Sequence, residues 1–157
     1  MLAEEVGGML RSRKETLAVA ESCTGGKVGD MITDVPGSSD YFLGGVVSYS
    51  NESKVSLIGV SRESLRSVGA VSEEVAVEMA RGVRERLGST YGIGITGVAG
   101  PTGGSKTKPV GLVYIAVASS DSHVVSRNVF KGSRIEVKTS AARRSLEMLK
   151  GFMEGGH

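Results

Sequence analysis

The sequence predicts an α/β fold of three layers, α/β/α, built on a mixed, mostly parallel sheet of about five strands. Up to Thr96, short apolar segments typical of strands alternate with segments whose apolar residues recur at helical spacing. After Thr96, two strand-like segments follow each other with no helix between them, which indicates an antiparallel hairpin. Alternating strands and helices favour a parallel sheet covered on both faces, and the added hairpin makes that sheet mixed.

The elements before residue 60 follow from spacing and from capping residues. Leu2, Val6 and Leu10 have helical spacing and predict an opening helix over residues 2–14. Behind it, the predicted elements are a strand over residues 16–21, a helix over residues 24–33, a strand over residues 41–49, and a short helix that begins at Ser50–Asn51 and carries Lys54.

The later elements are predicted in the same way. Ser61 and Ser72 are expected to cap two further helices, the second of which ends at Gly88. A strand over residues 91–96 leads into a long glycine-rich loop, and a hairpin over residues 112–119 and 124–130 follows. Ser133 and Glu136 have the spacing of a capping box at the start of the last helix. In that helix the residues expected to face inward are Ile135, Ala142, Leu146, Leu149 and Met153.

The composition fits a protein that folds around its own hydrophobic core. At 157 residues, of which 39% are hydrophobic, the chain is expected to form one domain over residues 1–157. Cys23 is the only cysteine, which excludes a disulfide framework and favours a reducing compartment. The opening MLAEEVGG does not resemble a signal peptide, and no apolar run reaches the ~20 residues of a membrane span. We therefore expect a cytoplasmic protein with no membrane partner.

The charge and the glycine content also limit the possible partners. The formal net charge is +2, and the lysines and arginines are scattered, so nucleic acid is not expected as a partner. The 23 glycines are about twice the usual share of about 7%. We expect the additional glycines to lie in particular loops that need their conformational freedom.

Residues 17–27, LAVAESCTGGK, are the stretch most typical of a ligand site. An apolar strand ends at Glu21, and small nucleophiles and a glycine pair follow it, which lets backbone N–H groups face a ligand at a helix start. Ser22, Cys23 and Thr24 are candidate nucleophiles. We expect Ser22 to face the site and Cys23 the core, because neighbouring side chains of a strand point in opposite directions. A strand-to-helix turn without catalytic function fits the same residues.

The base for such a nucleophile has to come from a residue other than histidine. His123 and His157 are the only histidines, so the sequence offers few residues from which a Ser-His-Asp triad or a metal site could be built. Lys54 is the candidate base, because a helix start and burial both lower the pKa of a lysine. Tyr49 is positioned to relay or orient the proton. The competing interpretation of Lys54 is a solvated lysine on a surface helix.

Three loops that follow predicted strands are expected to line one pocket. In an α/β sheet such loops converge at one edge, where ligands usually bind. These loops are residues 21–26, 48–54 and 96–101. The residues expected to contact a ligand are Glu21, Thr24, Gly25, Gly26, Ser48, Thr96, Gly97 and Gly100.

Two glycine-containing patterns do not indicate a nucleotide site by themselves. Gly92, Gly94 and Gly97 spell GxGxxG, but the first two fall inside a predicted strand and a Gly-Pro loop follows where a dinucleotide site needs a helix. The segment GGSKT lacks the GKT or GKS core of a phosphate-binding loop. Neither a dinucleotide nor a P-loop site is expected.

Five ordered blocks are similar to the C-terminal CinA domain, the nicotinamide-nucleotide amidase family, and together they span about residues 5–150. They are AESCTGG (20–26), GGVVSYSNESK (44–54), LIGVS (57–61), GAVSEEVAVEMARG (69–82) and ITGVAGPTGG (95–104), the last followed by KPVG (108–111). The resemblance implies hydrolysis of the carboxamide of nicotinamide mononucleotide to nicotinate mononucleotide and ammonia. Because the sequence has only two histidines, one cysteine and no acid cluster at ligand spacing, we expect neither a metal nor a cofactor. The resemblance places the family's serine, tyrosine and lysine on Ser22, Tyr49 and Lys54.

Two features set limits to what this resemblance implies. Longer members of the family carry a separate N-terminal domain, similar to molybdopterin-binding folds, and its ADP-ribose pyrophosphatase activity is not expected here. The SKTK segment at residues 105–108 falls where the family loop varies, which leaves substrate selectivity open. We therefore keep two hypotheses: an amidohydrolase, expected to be a homo-oligomer, and a non-catalytic nucleotide-binding or regulatory module.

Overall fold

The computed structural model describes residues 1–155, which form one five-stranded sheet with six α-helices on its faces. The strands are β1 (Leu17–Glu21), β2 (Phe42–Val47), β3 (Tyr91–Gly97), β4 (Leu112–Ala118) and β5 (His123–Val129). The helices are α1 (Leu2–Arg13), α2 (Lys27–Thr33), α3 (Asn51–Ile58), α4 (Arg62–Ser67), α5 (Glu73–Leu87) and α6 (Arg134–Glu154), with a 3-10 turn at Ser38–Asp40. None of the helices within these 155 residues has the length and apolar character needed to cross a bilayer.

The sheet is mixed, as predicted, with the strand order β2-β1-β3-β4-β5. β1 pairs in parallel with β2 and β3, whereas β4 is antiparallel to both β3 and β5. β4 therefore runs opposite to the other four strands. Because β1, β2 and β3 share one direction, their carboxyl ends at Glu21, Val47 and Gly97 meet at the same edge of the sheet.

The two faces of the sheet carry side chains of different size. α1, α2 and α6 cover the face on which the strands present large residues such as Val19, Ile93 and Ile115. α5, together with α3 and α4, covers the opposite face, on which the strands present alanines such as Ala20 and Ala116. Small residues on that face let α5 lie close to the strands. The three-layer arrangement predicted from the sequence is confirmed.

Gly92 and Gly94 show how close α5 approaches. A Cβ atom on Gly92 would overlap the carbonyl oxygen of Ala80, and one on Gly94 would overlap that of Ala76. Both glycines therefore admit the backbone of α5, and the chain after Gly97 enters a loop rather than a helix. The GxGxxG pattern has a packing function here, consistent with the expectation that it is not a dinucleotide site.

The predicted helix caps are present. The side chains of Ser50, Ser61, Ser72 and Ser133 each accept a hydrogen bond from the amide three residues further on. Ser133 and Glu136 form the predicted capping box at α6. Each such cap contributes about 1 kcal/mol to the stability of its helix. These caps fix where the loops around the carboxyl edge of the sheet end.

Two details differ from the prediction. α2 begins at Lys27 rather than near residue 24, because Gly25 and Gly26 have φ values of 61° and 107° and form a turn. Ile135, predicted to face inward, is 68% exposed. It lies in the first turn of α6, beyond the end of the packed layers, whereas Val137 further along the helix is buried. Helical spacing predicts which residues lie on the inward face of a helix, but it does not show how far along the helix that face is covered by other elements.

Candidate active site

A cavity of about 280 Å³ opens at the edge where the carboxyl ends of β1, β2 and β3 meet. It is lined by residues from the loops after all three strands and by the start of α6. Of the predicted site residues, those on its wall are Ser22, Tyr49, Lys54, Thr96, Gly97 and Gly100. The predicted convergence of three loops therefore gives one pocket, although several residues predicted to contact a ligand lie outside it.

Ser22 and Lys54 form a buried pair at the inner end of this cavity. Lys54 Nζ donates a hydrogen bond to Ser22 Oγ over 2.9 Å. Lys54 is only 2% exposed and Ser22 8% exposed. Lys54 Nζ also donates to the carbonyl oxygens of Ser48 at 2.7 Å and Tyr49 at 3.2 Å. The three hydrogens of the ammonium therefore have three acceptors, so the position of Nζ is fixed.

Burial changes the acidity of this lysine. Removal from water lowers the pKa of Lys54 from 10.5 to about 8, against a smaller opposing effect of Cys23. The neutral amine keeps two hydrogens for the carbonyls of Ser48 and Tyr49, and its lone pair then faces Ser22 Oγ. In that form the Ser22 hydroxyl donates to Lys54, which is the arrangement that a general base requires. Burial is the main cause of this shift.

Glu21 stabilises the turn that carries Ser22 and does not line the cavity. Its buried carboxylate accepts hydrogen bonds from Thr24 Oγ1 at 2.6 Å and from the amides of Gly26, Val28 and Gly29 at 3.0 to 3.2 Å. Four donors at the start of α2 thus satisfy this acid. The structure places Glu21 within the scaffold rather than among the ligand contacts that we expected.

The glycine pair is also part of this scaffold. The amide of Gly25 donates to Ser22 O and the amide of Gly26 donates to Glu21 Oε1, while the Thr24 hydroxyl donates to Glu21. None of Thr24, Gly25 and Gly26 lies on the cavity wall. In the 23–26 turn, the amides of Cys23 and Thr24 donate to no main-chain acceptor among residues 1–155.

Ser48 acts through its main chain. Its carbonyl accepts from Lys54, and its amide donates to Glu21 O at 2.8 Å. Its hydroxyl is buried, has no hydrogen-bond partner among residues 1–155, and does not line the cavity. Ser48 therefore orients the lysine, and the structure does not show the ligand contact that we expected from its side chain.

Tyr49 lies at the outer end of the cavity. Its side chain is 60% exposed, and its hydroxyl accepts a hydrogen bond from Arg134 Nη2 at 2.9 Å. Only its carbonyl contacts Lys54. The phenol is therefore not hydrogen-bonded to Ser22 or Lys54, and this geometry gives no direct path for the proton relay that we considered.

Arg134 is a site residue that the sequence did not identify. It is the first residue of α6, and its Nη1 donates to Gly100 O at 2.6 Å while Nη2 contacts Tyr49. It places an exposed guanidinium beside the cavity, although it lies far from Ser22 in the sequence. The capping box predicted the helix start correctly, but no sequence signal placed that start at this edge. Asn51, Val98 and Ala99 also line the cavity and belong to two of the predicted loops, whereas Ala70, Val71, Thr102 and Gly103 lie outside the predicted loops.

Cys23 faces the core, as predicted. It packs in the cluster formed with α2 and α6, and only its edge borders the cavity. Burial raises the pKa of the Cys23 thiol to about 11, so at pH 7 about one molecule in ten thousand carries the thiolate. Cys23 is therefore a poor nucleophile compared with Ser22 paired to Lys54.

The histidines do not contribute to this cavity as far as the structure describes them. His123 Nδ1 lies 2.9 Å from Arg81 Nη2, beside α5 and away from Ser22. His157 lies outside the described residues. Within residues 1–155, no group of three or more His, Cys, Asp or Glu side chains could hold a metal ion.

Comparison with known proteins gives a consistent set of matches. The model of the CinA C-terminal domain family matches residues 1–153. The chain is 53% identical over 148 residues to a putative competence-damage inducible protein of Moorella thermoacetica, covering 94% of this chain and 36% of that protein. It is 58% identical over 125 residues to a CinA-like protein of Nostoc punctiforme, covering 80% of this chain and 30% of that protein. The chain thus spans about a third of the length of these relatives.

Solved structures resemble nearly the whole chain. The competence/damage inducible protein CihA from Agrobacterium tumefaciens superposes with a TM-score of 0.94 at 35% identity, covering 96% of this chain and 92% of that one. A CinA superfamily protein from Klebsiella pneumoniae superposes with a TM-score of 0.95 at 31% identity, covering 98% of this chain and 96% of that one. The three-layer fold is therefore shared along almost its full length.

Proposed function

This chain belongs to the CinA C-terminal domain family, and we propose that it is an amidohydrolase that converts nicotinamide mononucleotide to nicotinate mononucleotide and ammonia. The observation that carries the proposal is the 2.9 Å hydrogen bond between Ser22 and the buried Lys54 at the inner end of the cavity. A serine beside a lysine of lowered pKa is an activated nucleophile suited to acyl transfer. The choice of substrate rests on the family resemblance.

In the first step, neutral Lys54 removes the proton from Ser22 as Oγ attacks the carboxamide carbon. A C–O bond forms, and the carbonyl oxygen becomes an oxyanion. Protonated Lys54 then gives its proton to the amide nitrogen, the C–N bond breaks, and ammonia leaves. The product of this half-reaction is a nicotinoyl ester on Ser22, with Lys54 neutral again.

In the second step, Lys54 takes a proton from a water molecule that attacks the ester carbon. The C–O bond to Ser22 breaks, and the proton returns from Lys54 to Ser22 Oγ. The second proton of the water is released to solvent as nicotinate mononucleotide leaves as its carboxylate. One lysine thus serves both half-reactions as base and then as acid, and the scheme uses only side chains, main-chain groups and water.

The oxyanion needs donors that are not already engaged. The amides of Gly25 and Gly26 donate within the scaffold, so we assign this function to the amides of Cys23 and Thr24, which follow Ser22 directly. Such fixed donors contribute substantially to acyl-transfer catalysis. This assignment is narrower than the sequence-based expectation that the backbone N–H groups of the glycine-containing turn face a ligand.

The outer end of the cavity fits the rest of the mononucleotide. Arg134 offers a planar guanidinium for two hydrogen bonds to the phosphate dianion. The exposed ring of Tyr49 offers an aromatic face for the positively charged pyridinium ring. Thr96, Gly97 and Gly100 also line the cavity, and we assign them to the ribose. Tyr49 thus has a binding function in this proposal in place of a proton relay.

The test is ammonia release from nicotinamide mononucleotide, with nicotinate mononucleotide identified as the second product. The wild-type protein should form the two in equal amounts, and Ser22→Ala should form neither. Binding of the mononucleotide by the wild-type protein without release of ammonia would instead favour the non-catalytic nucleotide-binding module.

A further inference from the structure

A lysine remote from Ser22 joins two outer walls of the cavity, and we propose that Lys108 is a positioning residue that sets the affinity of the cavity for its mononucleotide. The inference rests on the proposed function, since it concerns the substrate of the same cavity. Lys108 does not line the cavity and has no contact with Ser22 or Lys54 among residues 1–155. Lys108 can therefore affect substrate affinity only by positioning the two walls of the cavity that it connects.

The first of these walls is the α4–α5 connector, residues 68–72, from which Ala70 and Val71 line the cavity. Three successive carbonyl groups of this connector each accept a hydrogen bond from a side chain: one from within the connector, one from β3 and one from the loop after β3. Val68 O accepts from Lys108 Nζ at 2.6 Å, Gly69 O from Ser72 Oγ at 2.8 Å, and Ala70 O from Thr96 Oγ1 at 2.9 Å.

The second wall is the β3–β4 loop, residues 98–111, from which Thr102 and Gly103 line the cavity. Within it, Ser105 N donates to Lys108 O at 2.8 Å, and Lys108 N donates to Ser105 Oγ at 3.0 Å. This closed turn fixes the main chain from which the Lys108 side chain extends to the connector. Of the three side chains that hold the connector, Lys108 is the one that comes from this loop.

Gly69 makes room for the tether. Its φ of 81° is a conformation that glycine adopts without strain. A Cβ atom at this position would lie 2.8 Å from Lys108 Nζ, so a larger residue would displace the ammonium. The geometry thus couples a glycine of one wall to a lysine of the other.

Loss of the Lys108 ammonium should affect binding more than chemistry. Without the ammonium, the side chains of Ser72 and Thr96 would still bind carbonyl groups of the connector. The substitution should therefore mainly change the position of the β3–β4 loop and its distance from the connector. The inner end, where Lys54 is held by the carbonyls of Ser48 and Tyr49, shares no hydrogen bond with Lys108. We therefore expect a change in KM with little change in kcat.

The test compares Lys108→Met with Lys106→Met as a matched control in the same loop. Lys106 is exposed and donates no hydrogen bond within the described residues. Lys108→Met should raise the KM for nicotinamide mononucleotide about tenfold, in line with the loss of one hydrogen bond to a charged group. Its kcat should stay within about twofold of wild type, with the same inflection in the pH profile. Lys108→Arg should restore most of the affinity, and Lys106→Met should match wild type.

Equal KM values for Lys108→Met and wild type would overturn the proposal, as would a loss confined to kcat. Calorimetric measurement of mononucleotide binding distinguishes a failure of the Lys108 proposal from a failure of the proposed function. If wild type releases no ammonia, the amidase proposal fails, and the Kd values of the two methionine variants then decide on Lys108. A tenfold weaker Kd in Lys108→Met alone supports the positioning function, and equal values or no binding by wild type exclude it.

Discussion

The inner and outer ends of the cavity are built in different ways. At the inner end, Ser22 and Lys54 are buried, and main-chain carbonyls that follow a strand hold the lysine. At the outer end, Tyr49 and Arg134 are exposed and are held mainly by side chains and a loop. Proton transfer requires fixed positions, which strand ends supply, whereas recognition of the remainder of a substrate tolerates adjustable groups. We therefore expect substitutions at the inner end to reduce kcat and those at the outer end to raise KM.

The largest effect should come from Ser22→Ala. Removal of the nucleophile leaves no group to form the ester, so kcat should fall about ten-thousandfold or more in the ammonia-release assay. Cys23→Ala is the matched control next to it and should keep most of the activity, because the Cys23 thiol is almost fully protonated at pH 7. The reverse pattern would make Cys23 the nucleophile and remove the serine from the scheme.

Lys54→Arg should lower kcat about a thousandfold, the contribution expected of a general base. Arginine keeps the positive charge but does not deprotonate, so it cannot accept the Ser22 proton. Lys54→Met should fail to a similar extent, and circular dichroism would show whether either variant still folds. Near-native turnover of a folded arginine variant would mean that Lys54 acts by its charge, and another base would be required.

At the outer end, Arg134→Met should raise the KM for nicotinamide mononucleotide about thirtyfold, equivalent to about 2 kcal/mol for hydrogen bonds to a charged group. The kcat should stay within about threefold. Arg143→Met, an exposed substitution further along α6, is the control. The unphosphorylated nucleoside provides a sharper comparison, because Arg134→Met should raise its KM much less, through the lost contacts to Tyr49 and Gly100 alone. An equal loss for nucleotide and nucleoside would show that Arg134 does not bind the phosphate.

The smallest of these effects concerns pH. In the proposed scheme the neutral form of Lys54 is the active one, and burial lowers the pKa of Lys54 to about 8. At pH 7 about one molecule in ten carries the neutral amine, and at pH 9.5 nearly all do. The kcat/KM should therefore rise about tenfold from pH 7 to pH 9.5 and level off above about pH 9. This range lies above the second phosphate pKa of about 6, so substrate ionisation does not interfere. A flat or falling profile would contradict the assignment of Lys54 as base.

Much of the fold was predictable because its signals are local. Helical spacing, four serine caps and the final hairpin each depend on residues close together in the chain, and the structure shows all of them. Ile135 was misassigned because spacing does not show where a packed layer ends. The sheet was predictable as a mixed one because alternating segments imply parallel pairing and adjacent strands imply a hairpin.

The site was predictable only in part. The Ser22–Lys54 pair emerged from the scarcity of histidine and from the rule that loops after parallel strands converge. Glu21 was expected to contact a ligand because an acid at a strand end is typical of binding sites. In the structure, its carboxylate instead accepts hydrogen bonds from four donors of the following turn. Arg134 was missed because the position of a helix start relative to the pocket is set by tertiary packing. Sequence patterns identify which groups are present, but the direction in which each points depends on neighbours far along the chain.

The antiparallel pairing of β3 and β4 determines which part of the site can vary in evolution. The ladder continues to its end, where the amide of Gly111 donates to Val98 O and the amide of Val98 donates to Leu112 O, each at 2.8 Å. A tight turn of about two residues is enough to join such strands, so the sheet itself does not require the long β3–β4 loop. Insertions or grafts among the exposed residues 101–107 need not alter the register of the sheet or the serine–lysine pair. Under the proposed function, this exposed part of the loop is where a different substrate range can be engineered while Ser22 and Lys54 are left unchanged.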